Sequence, residues 1–166
     1  MKRLFALATV VCLLTFLFEG CGGNPQNSQN PSNGNGANNL TAKQLAENFK
    51  NTAGGNWHYI MDENGIALKL NVSFSDGKFI MSTEFANEQT KELFRSQGYS
   101  DKELEDMLAK TSHEANYTVT GMDDVGVYTV EIDGDKNYVL VKDNTLYMGT
   151  HRPDFPQNAD LVLTRG

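Results

Sequence analysis

The chain is poor in thiols, in long apolar runs and in positive charge. It has 166 residues with two cysteines, Cys12 and Cys21. Cys12 falls inside a short apolar leader, so no intradomain disulfide is expected to staple the fold. That leader, Leu4 to Phe18, is 15 residues long, whereas a bilayer-spanning helix needs roughly 20. Fourteen basic residues face 21 acidic ones, for a net charge of −7. This balance argues against nucleic acid or an anionic lipid surface as a partner held by charge. Catalytic signatures are missing as well: there is no G-x-S-x-G, no P-loop and no H-E-x-x-H. The three histidines, His58, His113 and His151, have neither metal-ligand spacing nor a nucleophile motif nearby. Asp133-x-Asp135-x-Asn137 starts like a calcium loop, but Tyr138 stands where Gly is needed and Asn144 where a bidentate Glu belongs. It reads as a hairpin. The expectation is a protein that is not an enzyme and uses no cofactor or metal.

What is present begins with an export signal. Lys2 and Arg3 precede the 15-residue apolar run, the pattern of a signal peptide over residues 1–20. Phe18-Glu19-Gly20-Cys21 resembles the lipobox of bacterial lipoproteins. The resemblance implies that the Cys21 thiol receives a diacylglycerol and that cleavage makes Cys21 the first residue. It implies export across a bacterial inner membrane and tethering by acyl chains, several of which make an anchor stable. In the sorting scheme of such proteins, Gly22 in place of Asp favours the outer membrane in a Gram-negative cell. Residues 21–40 then form the lipidated end and a tether. Residues 22–39 carry no charge and seven Asn, too little apolar surface to offset chain entropy.

The remaining residues, 41–166, are enough for one domain with a real core. Thr41 and Gln44 form a capping box for a short helix bearing Leu45, Ala46 and Phe49, and Gly54-Gly55 stops it. The apolar period then becomes two. Strands are predicted at Trp57–Met61, Ile66–Phe74, Lys78–Phe85, Tyr117–Thr120, Val125–Ile132, Tyr138–Lys142, Thr145–Gly149 and Leu161–Arg165, with turns at Asn64-Gly65, Asp76-Gly77, Asp133-Gly134 and Asp143-Asn144. Residues 87–111 interrupt this pattern with two short helices, one capped by Asn87 and the other by Ser100 with Glu103. The fold class is therefore mainly β: an eight-stranded antiparallel up-and-down barrel, with a short N-terminal helix and a helical pair after the third strand. Closure into a barrel removes sheet edges.

Gly55-Asn56-Trp57 opens the first strand and Arg165 closes the last. This resembles the lipocalin (calycin) signature. The likeness implies that Gly55, Trp57 and Arg165 close one end of the barrel, with the cation over the indole. Tyr128–Asp133 and Asn144–Met148 also resemble bacterial lipocalin-like lipoprotein domains. Two readings of the interior stay open. Tyr59, Met61, Phe79, Met81, Phe85, Tyr117, Tyr128 and Tyr147 either line a pocket for a small apolar molecule or fill the barrel solid. Leu93, Phe94, Leu104 and Leu108 either cap that pocket or pack on the wall. The partners expected are the membrane, through the lipid, and then either an apolar ligand in the barrel or an envelope protein on its surface.

Overall fold

The computed structural model describes residues 40–166. The signal segment, Cys21 and the tether lie outside the described residues. Residues 40–166 form a compact unit. It contains α1 (Ala42–Ala53), β1 (Gly55–Glu63), β2 (Ile66–Ser75), β3 (Lys78–Phe85), α2 (Glu88–Ser96), α3 (Asp101–Ala109), β4 (His113–Met122), β5 (Tyr128–Ile132), β6 (Asp135–Lys142), β7 (Thr145–Gly149) and β8 (Leu161–Arg165). The strands close in sequence order into an antiparallel barrel.

Local chemistry accounts for the connections. Four tight hairpins place both central residues at positive φ: Asn64-Gly65, Asp76-Gly77, Asp133-Gly134 and Asp143-Asn144. That conformation matches the right-handed twist of the strands on either side, and Asn, Asp and Gly tolerate it best. Both capping boxes form, Thr41 with Gln44 and Ser100 with Glu103, and the Asn87 side chain accepts from the Thr90 N–H.

Several predicted strands have shifted ends: β1 and β6 are longer than expected, and β4 and β5 start elsewhere. β4 begins at His113, because His113 to Asn116 pair with β3. β5 begins at Tyr128, because Val125 and Val127 instead donate their N–H groups to the Asp123 carboxylate in a turn. A bulge between Val119 and Gly121 adjusts the β4–β5 register.

The core runs from α1 through the barrel. Leu45, Phe49 and Ala53 form the buried face of α1 and join Trp57, Leu70, Val72, Phe74, Val130, Val139, Leu146 and Leu163 in one cluster. Lys50 Nζ reaches the Asp76 carboxylate at 2.7 Å, linking α1 to the β2–β3 turn across exposed surface. The helical pair packs elsewhere, against β2 and β3. Thr90 Oγ1 accepts the Ala67 N–H at 3.0 Å, which fastens the start of α2 to β2. Arg95 bridges α2 to α3 through Asp101 at 2.6 Å and also binds Glu88 and Glu92.

Candidate functional site

Antiparallel order puts α1 at the end of the barrel where β1 starts and β8 finishes. The chain is arranged there around one glycine pair. A Cβ on Gly54 would come within 2.2 Å of the Lys50 carbonyl oxygen, so only glycine lets the helix end this tightly. Gly55 follows at φ 104°, in the left-handed region. The sharp exit brings Trp57 back under the helix, where its indole N–H donates to the Ala53 carbonyl at 2.8 Å. Arg165 arrives from β8, paired with Trp57 in the sheet. Its guanidinium carbon stands 4.4 Å from the indole centroid. Its terminal nitrogens donate to the Thr52 and Gly54 carbonyls at 3.0 and 3.4 Å. One side chain thus covers the indole and satisfies carbonyls at the C-terminal end of α1.

Beside this clasp, Phe49 enters the barrel from α1 and is fully buried. Its ring lies 5.2 Å from Phe74, 5.5 Å from Tyr117 and 5.1 Å from Tyr128. Phe74 also meets Phe79 at 5.3 Å. The Tyr128 hydroxyl has a partner in Thr52 Oγ1 at 3.4 Å. Burial raises the Tyr117 pKa, opposed by a backbone hydrogen bond at Gly77 and by the Lys50 charge. At this end Tyr117 and Tyr128 are packing surface for Phe49, and Phe79 packs behind them on Phe74. Sequence reading gave Phe49 only a place on an apolar stripe, since periodicity does not reveal what such a stripe covers.

The far end differs. Tyr59 pairs with Leu70 and Met61 with Leu68, and both partners are buried, so Tyr59 and Met61 belong to the inner face. Tyr59 is nevertheless 46% exposed. β8 explains this: it pairs with β1 only at Trp57–Arg165 and His58–Thr164, while β1 and β2 pair along all of β1. Beyond His58 the two strands separate, and Tyr59, Met61 and the half-buried Leu161 border the seam. Met81 is buried and Phe85 half-buried on the same inner face.

One expectation needs correction. Tyr147 does not line the interior. It pairs with Leu140 and Val162 on the outer wall, because Leu146 and Met148, its neighbours on either side, take the inner face. On α2 the buried residues are Thr90 and Phe94, one helical turn apart, and Leu93 is 37% exposed. Phe94 packs on Phe85 at 5.6 Å and Leu104 is buried, while Leu108 is half-buried.

The candidate site is thus the barrel end opposite α1, where the inner-face Tyr59 is 46% exposed. Comparison with family models, with curated proteins and with solved structures finds no match to the chain.

Proposed function

We propose that this protein is a lipid-anchored, lipocalin-like envelope lipoprotein that holds a small apolar molecule at the end of the barrel opposite α1, where β1 and β8 part. The observation that carries this reading is Tyr59, an inner-face aromatic left 46% exposed beside Met61 and Leu161. A large aromatic ring in a half-open apolar mouth offers area for a ligand and a hydroxyl to orient it. Phe49 fills the other end, so the ligand is small and enters from the seam. Lipidation of Cys21 completes the reading, and the resemblance of Phe18-Glu19-Gly20-Cys21 to a lipobox supports it.

Native mass spectrometry of the protein purified from its own membranes tests the pocket. A co-purified apolar molecule is expected, together with binding of an apolar fluorescent dye that weakens about tenfold in Tyr59→Ala, the loss of one good apolar contact. An empty protein that also ignores such dyes overturns the reading. Metabolic labelling with a fatty acid tests the anchor: incorporation is expected in the native chain and not in Cys21→Ser.

One observation favours a second reading, that of an adaptor acting through its wall. Leu140, Tyr147 and Val162 form a continuous cross-strand row on the outer face of β6, β7 and β8, with Val162 46% exposed. Exposed apolar rows of this kind mark protein contacts. Cross-linking in the native envelope should then capture one dominant protein, lost in Val162→Lys while dye binding persists.

A further inference from the structure

We propose that the outer face of β1, β2 and β3 is a second binding site, separate from the barrel mouth, and that it takes a neutral saccharide. Sheet register arranges nine outward-facing side chains there as a grid. One row is Asn56, Ser73 and Ile80, the next is His58, Asn71 and Ser82, and the third is Ile60, Lys69 and Glu84. Thr164 of β8 extends the middle row beside His58, with its hydroxyl 3.5 Å from His58 Nε2. The middle row is therefore one amide, two hydroxyls and an imidazole across four strands. A half-open hollow of about 440 Å³ is lined by Asn56, His58, Asn71 and Ser82, and by Lys69 and Gly166, among others. That volume falls within the range of about 300–1,000 Å³ usual for small-molecule sites.

The chemistry selects the ligand by elimination. Lys69 is engaged by Glu84 at 3.1 Å. The Glu84 carboxyl is held below its usual range by a hydrogen bond from Asn71 and by Lys69, so the pair presents no net charge. A free anion would meet Glu84, and a free cation would meet Lys69. An extended peptide would need a strand edge, but β2 is paired on both sides along this face. What remains is a set of uncharged donors and acceptors, Asn56 exposed and Asn71, Ser73 and Ser82 half-buried, between two aliphatic corners, Ile60 at 51% and Ile80 at 40% exposure. Carboxamides and hydroxyls of this kind match the adjacent hydroxyls of a sugar ring, and the isoleucines match its C–H faces.

The test is an NMR titration of the full chain, isotopically labelled, in a detergent without a sugar headgroup. The probes are maltose, cellobiose and N,N′-diacetylchitobiose, with glucose 6-phosphate as the anionic control. At least one neutral disaccharide is expected to shift the His58, Asn71 and Ser82 signals, with a Kd on the order of 1 mM. Loss of one or two hydrogen bonds in Asn71→Ala or Ser82→Ala should weaken it about tenfold, and Tyr59→Ala should leave it unchanged. The proposal is overturned if none of the three disaccharides shifts this face, if shifts gather at Tyr59 and Met61, if the phosphate sugar binds as well as the neutral ones, or if both alanine variants bind like the native chain. An apolar molecule found in the mouth bears on the other site alone.

Discussion

The two ends of this barrel are built from similar residue types and behave as opposites. At the α1 end an aromatic from outside the sheet fills the interior, and Arg165 fastens β8 to β1 and to the helix. At the other end Phe94 of the helical pair packs on the inner-face Phe85, and β8 leaves β1 after two residue pairs. Closure of a meander is therefore not one property. The clasp completes the sheet where Trp57 sits, and the same strands part where Tyr59 begins.

The sharpest way to break this contrast is to remove the plug. Phe49→Ala is expected to cost about 3–5 kcal/mol, because a fully buried ring leaves a cavity that its rigid neighbours do not collapse into. Chemical denaturation of the folded chain reads it directly. Leu93→Ala at the other end, where the residue is 37% exposed, should cost less, about 1 kcal/mol. Equal effects would mean that the ends do not differ in packing.

Arg165→Ala comes next, at about 1–2 kcal/mol. It removes a cation from the Trp57 face and two hydrogen bonds to helix carbonyls on a partly solvated surface. Arg165→Lys keeps the charge but loses the planar fork, so it should recover only part of that. Denaturation midpoints for the pair separate charge from geometry. Full recovery by Lys would show that the carbonyl contacts contribute nothing.

Much of this architecture can be read from the sequence, and the failures have physical causes. The alternation from Ile66 to Phe74 and the Asn-Gly and Asp-Gly pairs mark strands and hairpins, since period two and positive φ are local properties. Gly55, Trp57 and Arg165 are expected as a clasp only through the resemblance to the lipocalin signature, and Arg165 does lie over Trp57. The faces of β7 are harder. Leu146, Tyr147 and Met148 are all apolar, so composition does not say which one points outward, and only pairing to β6 and β8 fixes Tyr147 on the wall. The plug is likewise invisible, since Phe49 looks like any apolar helix residue until the barrel end it enters is known. The outer grid of β1 to β3 depends on register between three strands, a long-range property that a single strand does not reveal.

The smallest effect expected concerns the β4–β5 turn. Asp123 bonds Arg152 of the β7–β8 loop and accepts N–H bonds from Val125 and Val127. Partial burial works against its charge, yet the Arg152 pair and those backbone donors outweigh it and hold the carboxyl below its ordinary value of 3.8. A carboxyl lowered on folding contributes stability that is fully present above the unfolded value. The contribution is lost as pH falls through the lower folded value. The site is about a third exposed, so solvent screening limits the contribution to about 1 kcal/mol or less. Asp123→Asn should lower the denaturation midpoint slightly at pH 7, and the difference from the native chain should shrink as the pH falls below 3.8 and through the lower folded value. If the gap instead stayed constant down to that pH, the turn would depend on the hydrogen-bonding shape of the side chain and not on its charge. Asn preserves that shape in part, so the two causes separate in one titration.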